Sequence, residues 1–549
     1  MSPPPAEDPF PRVVKPLLVE ALGQDLLCYV LGISDQRLSE WLAGDDDELG
    51  DPAQDDALKQ LHIVLHVSGS HDEPYWRRRN LERILGGYDD HEGTTVVNAI
   101  RGIATGKSFD RGNWDSPRSA MAALVRDLHA LCLLPSDSMW RQDMSLLAVN
   151  FHPGLERFAS LAVQDRVLGA LFPGDDEDVL ARGAYVERSS GHGSSLDLRG
   201  LPGLLIANGW RAARANSPSE PTLDEHIAAT LTQFDRVRQA LAGKAVEIPI
   251  RVAFTGLLLD SDPIDLGWGT LRAADARDSA LAPPDLQHKL SGTAPDGAQI
   301  EIDFSGNVIL EATIPYRAKA GRLELLEEPT AEMREWERIK HLVECTLLGA
   351  LLSQETTPDT PITLYSTWQY TDDPLTHGPS TAWSDPRSKS FSLRRVSAEA
   401  AVKWGEMTVA IEKARTKHID VAIRRTLRAS VERTDLADVL VDAIIAWENL
   451  FGSRKGEPTL RVTGSIAWLL EQDREKRAAL RSELARLYDI RSDVVHGNKD
   501  HEPRDLGPKA RRALEIAVDC LRVLFTTRPD MVSEFKTGDE RSNHLLMGG

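Results

Sequence analysis

Cysteine is scarce in this chain. Four occur in 549 residues (Cys28, Cys132, Cys345 and Cys520), far apart and never as C-x-x-C. That excludes a disulfide framework and argues against a cysteine zinc site, so a reducing, cytoplasmic setting is expected. No run of about 20 apolar residues is present, which excludes a membrane-spanning helix. The opening Met1-Ser-Pro-Pro-Pro-Ala-Glu-Asp-Pro-Phe10 has neither a basic nor an apolar signal region, so no secretory signal is expected. His152 and His192 are isolated, and no cluster of acids and histidines has ligand spacing. No metal and no cofactor are expected. Ser189-Ser-Gly-His-Gly-Ser-Ser195 is rich in glycine but lacks a leading strand and a P-loop lysine, so it reads as a flexible loop rather than a phosphate cradle.

Positive charge is also in deficit: 64 Lys and Arg against 84 Asp and Glu, a net charge of -20. The deficit is uneven. Residues 401–530 hold 24 basic and 21 acidic side chains, a net of +3, which leaves 40 minus 63, or -23, for the remainder. Only the C-terminal part is therefore suited to approach phosphates. The acidic remainder is either a solubilising surface or a screen and guide for a basic cleft.

The length implies several domains, and the 41% hydrophobic and 27% charged fractions are those of a globular protein. The expected fold class is multidomain α+β. Residues 1–110 read as a helical domain, 111–245 as a mainly helical region, 246–371 as a β-rich domain, 372–394 as a linker, 395–530 as a helical bundle and 531–549 as a flexible tail. The β-rich part rests on runs such as Ile248–Leu259, Leu266–Arg272, Ile300–Phe304, Val308–Ile314 and Ile362–Tyr370, rich in β-branched and aromatic residues between Gly, Pro and Asp turns. Ser305-Gly-Asn307 reads as a hairpin connection, and residues 330–353 as a helical insertion. From Val396 onward apolar residues recur at helical spacing, which predicts an up-down bundle.

Two stretches carry candidate chemistry. Near the N-terminus, Leu26 to Gly44 reads as a helix, a turn at Gly32, an N-cap at Ser34 and a second helix with Leu38, Trp41 and Leu42 on one face. In a DNA complex Asp35, Gln36, Arg37 and Glu40 would face the major groove. Two acids among those four oppose phosphate approach, so DNA binding is expected to be weak. Arg77, Arg78 and Arg79, beside Tyr75 and Trp76, are either further nucleic-acid contacts or a solvated face. The second stretch is Tyr488-Asp-Ile-Arg-Ser-Asp-Val-Val-His-Gly497 at the end of a long helix. RNA carries its own nucleophile, the 2′-hydroxyl. Cleavage needs a proton acceptor, a cation for the phosphorane and a proton donor for the leaving 5′-oxygen. His496 suits proton transfer, and Arg491 suits a forked grip on phosphate. Five residues separate them, about 140° around a helix, so one chain does not aim both at one phosphate, whereas two copies about a twofold axis would. Tyr488, Ser492 and Asp493 are candidate supporting partners. Glu448, on the preceding helix, either pairs with Arg491 or faces solvent. From the residues alone, a surface ion-pair patch with a histidine cap before Gly497 is the favoured reading.

The N-terminal unit resembles the helix-turn-helix of Xre-type regulators over about 20 residues. Leu257 to Asp275 resembles the sheet segment that precedes the HEPN domain in ApeA-type proteins. The stronger likeness covers about 130 C-terminal residues. Asp442-Ala-Ile-Ile-Ala-Trp-Glu-Asn-Leu-Phe-Gly452, Ser465-Ile-Ala-Trp-Leu-Leu470 and Tyr488 to Gly497 resemble the ApeA-like HEPN family, with its "RxAxLL" and "lYdiRSxivHG" patterns. The arginine of the first pattern is Ser465 here. The resemblance implies a HEPN helical bundle with an R-x(4–6)-H motif at Arg491 and His496. It further implies a metal-independent endoribonuclease acting as a homodimer on RNA, in anti-phage abortive infection or a toxin–antitoxin system, with a phage-derived trigger or an antitoxin as partner. The alternatives it leaves are a DNA-binding helix-turn-helix regulator and a non-catalytic HEPN scaffold.

Overall fold

The computed structural model describes residues 14–68, 74–110, 112–135, 146–173, 178–188, 193–217, 219–283, 286, 289–293, 299–303, 305–321, 336–353, 364–376, 380–383, 394–453, 457–496 and 502–547. The first part is helical: α1 Lys15–Leu22, α2 Gln24–Leu31, α3 Asp35–Ala43, α4 Pro52–Ser68, α5 Pro74–Leu85, the short strands β1 Tyr88–Asp89 and β2 Thr94–Thr95, α6 Val96–Thr105, α7 Pro117–Cys132, α8 Gly154–Gln164 and α9 Leu168–Leu171. Then come β3 Gly183–Arg188, β4 Gly193–Asp197, α10 Gly200–Asn216 and α11 Leu223–Leu241. The centre holds β5 Val246–Thr255, β6 Leu257–Leu259, β7 Ile264–Asp265, β8 Gly269–Ala273, α12 Ala276–Leu281, β9 Lys289–Thr293, β10 Gln299–Asp303, β11 Val308–Tyr316, β12 Ala318–Gly321, α13 Trp336–Ser353, β13 Tyr365–Thr371, β14 Ser380–Trp383 and β15 Arg394–Val396. The C-terminal region is again helical: α14 Ala398–Ala414, α15 Asp420–Leu427, α16 Leu436–Phe451, α17 Pro458–Leu470, α18 Arg474–His496, α19 Pro503–Thr526, α20 Asp530–Ser533 and α21 Gly538–Leu546. The class is mixed α+β, as the sequence predicts. Among the described residues no helix is long and apolar enough to cross a membrane.

The chain forms two compact units. The first comprises 1–248, 315–335 and 371–380; the second comprises 249–314, 336–370 and 381–549. In the first, β3 pairs antiparallel with both β4 and β12. The strand at 193–197 replaces part of the loop expected there: once Gly193 to Asp197 can pair with Asp197↔Gly183 to Gly193↔Glu187 register, the small polar residues extend instead of looping. His192 lies outside the described residues. Residues 372–376, read as the start of a linker, are anchored. Asp372 accepts from Gln233 Nε2 at 2.7 Å and Arg236 Nη1 at 2.7 Å, and Asp373 accepts from the Tyr316 hydroxyl at 2.8 Å. These ties satisfy carboxylates that composition alone assigns to solvent.

The same unit buries a histidine pair. His226 Nε2 lies 3.0 Å from the Ile206 carbonyl, which can only accept, so Nε2 carries the proton. His226 Nδ1 is then an acceptor, and His129 Nδ1, 3.1 Å away, donates to it. Burial pushes the His226 pKa down from 6.5 to about 4, and burial and the neighbouring His226 push His129 down as well. The sign of the pH effect follows. The unfolded chain takes up the His226 proton near pH 6.5 while the folded chain resists until about 4, so stability present above pH 6.5 is lost as pH falls toward 4. Between pH 7 and 5 the loss from His226 is expected to be about 2 kcal/mol. Urea melts at the two pH values, compared with His226→Asn, check this; equal pH slopes for both proteins refute it.

In the second unit one sheet runs β14-β13-β5-β11-β8-β7. β5 is buried along nearly its whole length, as a central strand must be. β11 pairs antiparallel with β8, whereas β10 pairs with β9 in a separate sheet. Residues 305–307 are therefore not the hairpin expected between 300–304 and 308–314. The turn is pinned to β5 instead: Asn307 N donates to the Phe254 carbonyl at 2.7 Å, and the Thr255 hydroxyl donates to Asn307 Oδ1 at 2.8 Å. Gly306 allows this with φ +114°, and a Cβ there would meet Ala253 Cβ at 2.7 Å.

The C-terminal helices share one core. It includes Trp447, Leu450, Phe451, Leu484, Leu487, Ile516, Cys520 and Leu521, together with Cys345, Leu348, Leu351 and Leu352 of α13. The expected tail after 530 is structured: α20 and α21 bury Met531, Val532 and Leu545 in that core.

Candidate functional site

Two helices build the site. α16 starts at the N-cap Asp435, whose carboxylate accepts from Ala437 N at 2.7 Å and Asp438 N at 3.3 Å. Its last turn is held by Trp447, fully buried, and this places Glu448 next to it at the edge of the core. α18 buries Leu480, Leu484 and Leu487, a stripe at i, i+4 and i+7. Tyr488 and Arg491, at the margin of that stripe, turn toward α16. The Tyr488 hydroxyl donates to Glu448 Oε1. Arg491 Nη2 lies 3.9 Å from Glu448 Oε2. One carboxylate thus bridges a phenol and a guanidinium, and the choice left open for Glu448 resolves in favour of pairing.

The electrostatics follow from half-burial. The Arg491 and Glu448 side chains are 22% and 33% exposed, so the ion pair at this distance is weak as a stabiliser. Its use is geometric. Among the described residues Arg491 Nε is buried without a hydrogen-bond partner, so the guanidinium is oriented by one edge and has donor capacity to spare. The Tyr488 phenol is pushed well above its ordinary pKa of 10, first by burial and then by the hydrogen bond to and repulsion from Glu448, with Arg491 opposing. It therefore stays protonated and keeps donating.

Ser492 and Asp493 are half-buried on the next residues of α18, and His496 is exposed in the last turn. The structure brings Glu448, Tyr488 and Arg491 together. It does not bring His496 to them: α18 is continuous from Arg474 to His496, so the angular separation expected from helix geometry stands. Gly497 and Asn498 lie outside the described residues. Ser465 is buried and hydrogen-bonds Ser542 Oγ at 2.8 Å, so this position packs α17 on α21.

Sequence reasoning missed Arg541. It is fully buried, and its guanidinium donates to the carbonyls of Leu450 at 2.8 Å, Asn449 at 3.0 Å and Phe535 at 2.8 Å. Two of these are end carbonyls of α16, so Arg541 caps the helix that carries Glu448. Burial pulls its pKa below the ordinary arginine value, to about 10. A signal existed: Thr537-Gly-Asp-Glu540 is a capping box, and the structure has both of its bonds.

The N-terminal candidates lie in the first unit. α2 ends at Gly32 in the left-handed region, and the Ser34 hydroxyl accepts from Arg37 N at 3.3 Å, so the helix–turn–helix is present as secondary structure. Gln36 Nε2 donates to Glu40 at 2.9 Å, and Arg37 Nη2 to the Leu49 carbonyl at 3.3 Å. Arg77 pairs with Glu20 at 2.6 Å, Arg78 donates to the carbonyls of Leu134 and Pro135, and Arg79 pairs with Glu82 at 3.4 Å. These cations have intramolecular roles. Among the described residues no three His, Cys, Asp or Glu side chains gather as a metal-binding group. Comparison with protein-family models, curated proteins and solved structures finds no match to the chain.

Proposed function

We propose that the chain is a metal-independent endoribonuclease of the HEPN type, acting as a homodimer in anti-phage defence or a toxin–antitoxin system. The observation that carries this reading is the Glu448–Tyr488–Arg491 cluster, which orients a half-buried guanidinium five residues before an exposed helix-end histidine. In the proposed reaction the 2′-oxygen bonds to phosphorus and the bond from phosphorus to the 5′-oxygen breaks. The 2′-hydroxyl proton leaves to a base, and the 5′-oxygen receives a proton. The products are a 2′,3′-cyclic phosphate and a 5′-hydroxyl. Arg491 binds the non-bridging oxygens, and their charge is greatest in the phosphorane. His496 moves protons. A second copy supplies the facing pair, since one helix does not converge both groups on one phosphate. A trigger or antitoxin would act through the remainder of the chain.

Labelled RNA incubated with the full chain in EDTA tests this. Cleavage in EDTA that disappears in Arg491→Ala and in His496→Ala is the expected result; RNA left intact overturns it. The helix–turn–helix supports a second reading, a DNA-binding regulator. Its α3 presents Asp35 and Glu40, and its Gln36 and Arg37 are held by internal hydrogen bonds. DNA binding at physiological salt is therefore expected no tighter than the non-specific range of about 10⁻⁴–10⁻⁶ M. A nanomolar complex with one duplex in a mobility-shift titration would reverse the order of the two readings.

A further inference from the structure

The start of α18 holds an arrangement unrelated to the Glu448 cluster. Trp468, near the end of α17, is 43% exposed. The Arg477 guanidinium carbon sits 3.5 Å from the centre of its ring, a stacking distance. Arg477 is itself fixed: Nε donates to the Glu471 carbonyl at 3.0 Å and Nη2 to the Gln472 carbonyl at 2.8 Å. Among the described residues Nη1 makes no hydrogen bond, and Arg477 has no carboxylate partner. The guanidinium stacks on one indole face, and 43% of the residue nonetheless stays exposed. A large, exposed aromatic held flat by a preoriented cation matches what nucleobases stack on in single strands.

Position adds to this. Arg477 and Arg491 are 14 residues apart on one continuous helix, ~21 Å along its axis, on either side of the stretch that buries Leu480, Leu484 and Leu487. Exposed Arg481 stands one turn beyond Arg477. A duplex buries its base faces and could not use the indole; an extended strand could lay a base there.

We infer that Trp468 and Arg477 form a base-stacking subsite for single-stranded RNA, several nucleotides from the phosphate at Arg491. The base rests on the exposed indole, and the Nη1 donors of Arg477 take an adjoining phosphate. This inference rests on the RNA reading above, and the test separates the two. A fluorescent 2′-O-methyl decanucleotide lacks the nucleophile, so its binding to the full chain reports the subsite without cleavage. Trp468→Ala is expected to weaken its binding by about 5- to 100-fold, Trp468→Phe by much less, with melts showing that both variants fold. Cleavage of an unmodified decanucleotide should fall in parallel, and cleavage of a dinucleotide should not. Equal affinity for wild type and Trp468→Ala, no saturable binding to wild type, or equal binding of the duplex form each overturns the subsite. Binding that depends on Trp468 without any cleavage by wild type supports the subsite and removes the ribonuclease reading instead.

Discussion

Arg491→Ala is expected to reduce RNA cleavage by about 10²–10³-fold, the effect of losing one oriented electrostatic contact to a developing oxyanion. Arg491→Lys should recover little of it. An ammonium is a point charge, and it lacks the planar fork that would let one edge face Glu448 while, in the proposed reaction, the other grips phosphate. His496→Ala is expected to cost about 10²–10⁴-fold, the range for a general acid–base group. The double variant should fall far short of the product of the two losses, because both groups serve one step. Initial rates on a labelled oligonucleotide, with melts showing that both variants fold, give the comparison. Wild-type rates in either single variant would take the chemistry away from α18. Glu448→Gln is informative about orientation: it keeps a partner for the Tyr488 hydroxyl but removes the charge that faces Arg491.

The second large effect concerns stability. Arg541→Met should destabilise the second unit by about 3 kcal/mol, the net of two opposing effects. Methionine leaves the Leu450, Asn449 and Phe535 carbonyls without this donor, at about 1–3 kcal/mol for each buried group. It also removes a buried cation whose pKa has fallen below the ordinary arginine value to about 10, a relief of about 3 kcal/mol. Three lost acceptor partnerships outweigh one relieved charge, and two of them sit at the negative end of the α16 dipole, where a cation is favoured. Urea denaturation measures the difference. A variant as stable as wild type would mean the guanidinium does not hold the end of α16.

Local pattern carried much of the architecture. The six long helices between 398 and 526 were legible because their apolar residues repeat every three or four positions, and α16 begins and ends at 436 and 451, where that repeat does. Strand stretches were legible, but their partners were not. Nothing in Ser305-Gly-Asn307 says that the turn bonds to Phe254 and Thr255 rather than returning along β10, since that depends on residues some 50 positions away. The candidate site shows the same division. Arg491 and His496 were visible as residue types at a spacing. The role of Glu448 was undetermined until the burial of Trp447 and the stripe on α18 fixed which way the two helices face. The arginines at 77–79 illustrate the limit from the other side: a basic run looks alike in sequence whether its partners are phosphates or Glu20, Glu82 and two carbonyls.

Each compact unit is assembled from three separate stretches of chain. Neither can be removed by a single cut, transplanted as one cassette or released by one proteolytic event. A fragment beginning at 395 would lack α13, whose Cys345, Leu348, Leu351 and Leu352 fill the core around α16 and α19, and would be expected to lose solubility. Attempts to map control of α18 should therefore use point substitutions or insertions at exposed turns in place of deletion series.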